Sequence, residues 1–230
     1  MKLKLIDTSD GSLTLYLPEM DEQYHSLFGA ATESNHVFIQ SGLQFYSGPT
    51  PVIFEVGFGT GLNCLLTALW VEREKRQVFY MTIEKFPLND RVIKQLHYGR
   101  FVAGTGEELF SAIHACPWNR EIQVTPYFRL LKINADFTQM SWQLPQKCNV
   151  VYFDAFSPDK QPEMWTQVLF NRIYQWVQPG GVFVTYSAKG EVRRRLISAG
   201  FSMEKIPGPP GKKEILRGIK MLTKVLKPKN

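Results

Sequence analysis

"VIFEVGFGTGLNCLLTALWVERE", residues 52–74, joins two patterns that few supersecondary units combine. VIFEVG (52–57) is an apolar run carrying one acid, as expected of a strand buried on both faces of a sheet. GLNCLLTALWVERE (61–74) places apolar residues along one side of a helix. Between them stand Gly57, Gly59 and Gly61. Glycines there let the backbone turn tightly and approach a ligand, with the first helical N–H groups facing it. A dinucleotide fingerprint needs its third glycine at 62, which is Leu62, and no Gly-Lys-Ser/Thr follows to make a P-loop. A plain tight turn stays open as a reading at this point.

Working outward, SGPTP (47–51) is a breaker that separates this unit from an N-terminal segment. That segment predicts a hairpin over 3–17, turning at Asp10-Gly11, and one or two helices over 21–40. Beyond residue 74, strands are predicted at 77–85, 127–136, 148–156 and 180–187, with helices at 88–97, 106–116, 162–177 and 190–200 between them. Such alternation calls for a parallel α/β sheet with helices on both faces. FSMEKIP (201–207) and EILRGIK (214–220) form an expected antiparallel pair about GPPGKK, a departure from a purely doubly wound sheet. The expected organisation is an appendage at 1–50, the α/β domain at 51–220 and a basic tail at 221–230.

Ligands of such sheets sit at the carboxyl ends of the strands, so polar residues just past each strand are candidates. Glu84 can accept from ribose hydroxyls or pair with Lys85. Asp136 can accept from an adenine amino group or cap a short helix. Asp154 interrupts YFDAFSPDKQPEMW (152–165), where Pro158 and Pro162 hold the backbone away from a helix; its bland reading is a turn or helix cap. A glycine loop with three acids at successive strand ends describes an adenosine-containing cofactor without a pyrophosphate, most simply S-adenosylmethionine.

Bulk properties narrow the class. A chain of 230 residues, 44% hydrophobic and 21% charged, can build a full core. The net charge of +6 suits an anionic partner such as nucleic acid, although many basic proteins bind none. Cys64, Cys116 and Cys148 lack CxxC spacing, and His25, His36, His97 and His114 lack metal spacing, so neither a disulfide scaffold nor a metal is expected. The first residues reach Asp7 before any apolar signal region, and no stretch is apolar enough to span a membrane. A cytoplasmic location is expected.

DGSLTLYLPEMDEQYHSLFGAATESNHVFIQSGL, FEVGFGTGLN, IEKFPL, DAFSPDKQPEMW, TYSAKGEVRRRLISAGF and PGPPGKKEIL together resemble the MnmC/MnmD-type tRNA methyltransferases, over residues 8–216. The resemblance implies a Rossmann-like, seven-stranded class I S-adenosylmethionine-dependent methyltransferase fold whose last strand runs antiparallel. It implies N-methylation of 5-aminomethyl-2-thiouridine at the tRNA wobble position to the 5-methylaminomethyl form. Relatives are often fused to an FAD-dependent oxidase; no second glycine motif occurs here, so the amine is expected from a separate enzyme. Carried onto these motifs, the cofactor-binding set is Glu55, Gly57, Phe58, Gly59, Gly61, Asn63, Glu84, Lys85, Asp136 and Phe137. Asp154 is the catalytic candidate, and Phe156, Tyr186, Ser187 and Lys189 are candidates for the target nucleotide. Phe58, Phe86 and Phe156 can stack on a base or pack in the core. Tyr24, Glu33, Ser34 and Phe38 can close over the site or brace the N-terminal segment. Arg193, Arg194, Arg195, Lys212, Lys213 and Arg217, with the tail KVLKPKN (224–230), offer a phosphate-binding surface or a merely solvated face. A small-amine methyltransferase or an aminopropyltransferase is the main rival, expected to show an acidic rather than a basic pocket; a non-catalytic tRNA-binding module is the second.

The chemistry sets a demand. An amine with a lysine-like pKa of about 10.4 is neutral in roughly one molecule per thousand at pH 7, a handicap of about 4–5 kcal/mol. A sulfonium nearby offsets most of this, since two positive charges about 4 Å apart repel by roughly 4 kcal/mol at an effective dielectric of about 20. A facing carboxylate favours the cation. The first task expected of Asp154 is therefore to aim the amine, and taking its proton is the second.

Overall fold

The computed structural model describes residues 3–101, 105–139 and 143–222. Strands β1 (Lys4–Asp7), β2 (Leu13–Leu17) and β3 (Glu22–Gln23) form a small antiparallel sheet. Asp10 fixes its hairpin to the next element: one carboxylate oxygen accepts from Thr8 Oγ1 and from Ser12 N and Oγ, the other from Thr32 N and Oγ1. Burial opposes ionisation of Asp10, but these hydrogen bonds outweigh it and hold the carboxyl below its ordinary range. Helix α1 (Ala30–Ser34) runs on as a π-helical stretch, Asn35–Leu43. At Gly42 this stretch lies so close to the main sheet that an added Cβ would stand 3.0 Å from Val184 and 3.1 Å from Tyr152.

The main sheet contains β4 (Val52–Val56), β5 (Val78–Glu84), β6 (Glu121–Thr125), β7 (Phe128–Asn134), β8 (Cys148–Phe153), β9 (Val177–Thr185), β10 (Ser202–Pro207) and β11 (Glu214–Ile219). Their order is β10-β11-β9-β8-β4-β5-β7-β6. The central five are parallel, and β11 is antiparallel to both neighbours, as the expected ending requires. The eighth strand, β6, pairs antiparallel with β7 at the edge and was not expected. Its five residues, EIQVT, do alternate polar and apolar, but the run is short and stops at Pro126. The predicted helix 162–177 divides into a 3-10 turn, Pro162–Trp165, and helix α5 (Gln167–Trp176), because Thr166 is extended between them.

Helices α2 (Leu62–Glu74), α3 (Asp90–Leu96), α4 (Gly106–Ala115) and α6 (Gly190–Ala199) complete the layers. Tyr152 and Phe153 show why β8 reads as continuous apolar sequence. The first packs in the core on one face, with Phe38 and Leu65, and the second in the core on the other, with Trp165 and Phe170. Leu15, Val37 and Phe38 share the first of these cores with α2, so the appendage is packed into the sheet domain. Sequence order leaves β4 toward β5 on one side and continues at β8 on the other. The carboxyl ends of β4 and β8 therefore flank the topological switch, where a crevice opens.

Candidate active site

The crevice is a cavity of about 460 Å³, within the usual range for small-molecule sites. Gly57, Gly59 and Gly61 have φ of +92°, +51° and +76°, values that side-chain-bearing residues seldom adopt. A Cβ on Gly57 would stand 2.7 Å from the Asp154 carbonyl oxygen, so the close approach of the two strand ends requires glycine as well. Gly59 N donates to Glu84 Oε2 at 3.0 Å and Phe86 N to Glu84 Oε1 at 2.8 Å, which aims the Glu84 carboxylate along the loop.

Of the fifteen candidates for cofactor, catalysis and target nucleotide, ten line this cavity: Gly57, Phe58, Gly59, Glu84, Lys85, Asp136, Phe137, Asp154, Phe156 and Tyr186; Tyr24, Glu33, Phe86 and Lys212, which the sequence also offered, line it too. Several play parts other than those expected. The Phe58 ring turns into the core against His114 and Trp118. Lys85 pairs with Asp136 at 2.8 Å, leaving Glu84 to the glycine loop. Asp136 also accepts from Thr138 N and Oγ1, which closes a turn; no helix follows it among the described residues, so it is not the helix cap that was the alternative. Burial opposes its ionisation, but the Lys85 and Thr138 bonds prevail and hold its pKa at about 2.

The other five of the fifteen lie outside the lining. Gly61 heads α2 against His114. Ser187 is buried, and Lys189 pairs with Asp159 on the surface. Glu55 and Asn63 stand behind the cavity wall and support it. Asn63 Nδ2 donates to Asp154 Oδ2 at 2.7 Å and to Glu55 Oε1 at 3.1 Å, while Thr82 Oγ1 donates to Glu55 Oε2 at 2.7 Å. Burial pushes Glu55 up to about 8, against the Thr82 and Asn63 bonds. Burial likewise pushes half-buried Asp154 up to about 7; the Asn63 bond opposes the rise and the nearby Glu33 charge adds to it.

The appendage supplies a wall that sequence reading assigned only in part. Tyr24 meets Phe156 edge-on at 5.0 Å. His25 Nε2 and Thr60 Oγ1 are 2.8 Å apart, and burial pushes His25 down to about 4, so its imidazole is neutral and ties the appendage to the glycine loop. Ser157 Oγ donates to Glu22 Oε2 at 2.5 Å, joining the segment after Asp154 to β3. Glu22 and Lys212 lie in stretches that carry the resemblance, but neither was assigned to the cavity. Of the basic residues proposed for phosphate, Arg194 and Lys213 are exposed, and the tail 224–230 lies outside the described residues. Arg195 bonds Glu191 and the Trp165 carbonyl, Arg217 pairs with Glu204, and Lys212 turns inward to Glu33. Among the described residues no group of three or more His, Cys, Asp or Glu is placed to hold a metal ion, and no helix is long and apolar enough to cross a membrane.

The donor set fits S-adenosylmethionine. Gly57 and Gly59 line the cavity with bare backbone, Gly59 N donates to the Glu84 carboxylate that borders it, and Ile83, Ala135 and Phe137 add apolar lining. Residues 110–221 match a family described as S-adenosyl-L-methionine-dependent methyltransferase. The chain is a Rossmann-like S-adenosylmethionine-dependent methyltransferase. It is similar to MnmC2 from Aquifex aeolicus, with 26% identity and a TM-score of 0.75 over 96% of this chain and 72% of that one. This likeness bears out the resemblance to MnmC/MnmD-type enzymes. A methyltransferase from Pyrococcus furiosus shares the fold, with 17% identity and a TM-score of 0.50 over 90% of this chain and 91% of that one.

Proposed function

We propose that the protein methylates the exocyclic amine of 5-aminomethyl-2-thiouridine at the tRNA wobble position, giving the 5-methylaminomethyl form, with the amine delivered by a separate enzyme and the reaction set in the cytoplasm. The observation that carries this reading is Asp154, held by Asn63 at the end of β8 beside the glycine loop, in a cavity also lined by Glu22 and Glu33. Such a wall attracts a cationic amine. Asp136 and Glu84 with the Gly59 loop are assigned to the cofactor side. S-adenosylmethionine, when bound, supplies an electrophilic methyl group. Asp154 accepts a hydrogen bond from the amine, aims its lone pair and takes the proton that nitrogen loses on alkylation.

The mouth supports an RNA substrate. Phe28 and Phe86 line the cavity yet are 59% and 55% exposed, which leaves rings for bases flanking a splayed-out nucleotide. Arg194 and Lys213 are exposed cations for phosphates. The acidic interior also favours a second reading, a small-molecule amine methyltransferase. Nucleoside analysis of aminomethylated tRNA after incubation with S-adenosylmethionine distinguishes them: a 5-methylaminomethyl product is expected, and unmodified tRNA alongside methylated free amines would give the second reading.

A further inference from the structure

Lys212 does something a surface lysine does not. It sits in the loop Gly208–Lys213 between β10 and β11, closed by Lys212 N donating to the Pro209 carbonyl at 2.9 Å and Gly208 N to the Lys213 carbonyl at 3.1 Å. At Gly211 (φ +84°) the loop backbone lies against the Phe28 ring, leaving no room for a Cβ. This packing holds Lys212 inward. Its Nζ is 2.5 Å from Glu33 Oε1 and 4.1 Å from the centre of the Tyr186 ring, inside the cavity that Asp154 lines.

Both walls of this nook are fixed from behind. Glu33 Oε2 accepts from Ser26 N at 2.8 Å, and the Tyr186 hydroxyl donates to the Ala155 carbonyl at 2.9 Å. A carboxylate opposite an aromatic face is a general recognition element for an alkylammonium ion. A lysine side chain ends in the same group, a primary ammonium on a methylene, that an aminomethyl substrate presents.

We propose that Glu33 and Tyr186 form the subsite for the substrate's primary alkylammonium group, and that Lys212 fills it in the free protein as an internal surrogate that leaves when the substrate enters. The inference rests on the reading of the substrate as an amine. The surrogate keeps Glu33 paired beside Asp154 while the cavity is empty, and it imposes competition. Apparent affinity for an amine is lowered by the fraction of molecules in which Lys212 occupies the nook. Glu33 and Tyr186 receive this nitrogen as its ammonium on entry, and Asp154 beside them meets the same nitrogen once it has lost a proton to water and can be alkylated.

The test uses n-propylammonium as probe, titrated calorimetrically into wild-type protein, Lys212→Ala, and Lys212→Ala combined with Glu33→Gln. Lys212→Ala should bind it about tenfold more tightly than wild type, the gain expected if the nook is open in about a tenth of wild-type molecules. The added Glu33→Gln change should abolish that gain. Equal affinity in wild type and Lys212→Ala, or a gain that survives Glu33→Gln, would overturn the proposal. A gain in affinity cannot come from misfolding. Should the variants fail to fold, the ¹⁵N signal of the Lys212 ammonium in wild-type protein decides: it should shift as propylammonium is added, and an unmoved signal refutes displacement. Propylammonium binding as described by a protein that methylates no tRNA supports the subsite and sinks the tRNA assignment. Methylation of tRNA with Lys212 never displaced does the reverse.

Discussion

Replacing Asn63 with leucine removes the amide that donates to both Asp154 and Glu55, at 2.7 and 3.1 Å. The replacement is otherwise mild, because Asn63 Oδ1 is buried with no hydrogen-bond partner. A hydrogen bond to a charged group is worth about 1.5–3 kcal/mol, and one pKa unit corresponds to about 1.4 kcal/mol. Asp154 stands at about 7 with the Asn63 bond pulling it down. Losing that bond should raise it by about one to two units. In the proposed role the Asp154 carboxylate aims the amine; that form is populated above its pKa, so a higher pKa moves the acid limb of kcat/KM to higher pH. Well above both values the variant approaches wild type; well below both it should be slower by about 10- to 100-fold. Initial rates on aminomethylated tRNA, with saturating S-adenosylmethionine, are measured across this range. Ionisation of the substrate amine affects both proteins alike and cancels in their ratio. A folded variant whose rate ratio to wild type is flat across pH would refute the coupling between Asn63 and Asp154.

Glu84→Ala should weaken S-adenosylmethionine binding by about tenfold or more, since each bond to a charged carboxylate contributes about 1.5–3 kcal/mol; unchanged affinity in calorimetry removes Glu84 from the cofactor site. Gly57→Ala should abolish cofactor binding and lower Tm, because the new Cβ would meet the Asp154 carbonyl oxygen at 2.7 Å with φ at +92°. Normal binding by that variant would show that the glycine loop has slack the geometry denies. Arg194→Glu with Lys213→Glu should raise KM for tRNA and flatten its salt dependence with kcat nearly unchanged, because phosphate contacts release counterions. An unaltered salt slope would place the RNA elsewhere on the surface.

Much of the site was legible because its signals are local. The glycine turn, and the acids Glu84, Asp136 and Asp154 just past their strands, are each fixed by short stretches of backbone, and all of them border one cavity. What escaped was three-dimensional. Glu55 lies two residues before Gly57, and only the fold shows that its side chain faces Asn63 and Thr82 behind the wall. Lys85 and Asp136 pair across neighbouring strand ends, β5 and β7, which spacing along the chain cannot reveal. Strand β6 went unseen because its alternation spans only five residues before Pro126, although it pairs with β7 at the edge. Lys212 read as one more surface charge until the turn over Phe28 brought it to Glu33.

In the proposed reaction Asp154 aims an amine at a methyl donor held by other residues. Asp154→Asn preserves size and part of the hydrogen bonding but removes the charge, and the glycine loop and Glu84 are untouched. Measured side by side on the folded variant, kcat for aminomethylated tRNA should fall by about 10²-fold or more while the Kd for S-adenosylmethionine stays near that of wild type. A normal kcat in that variant would contradict the claim.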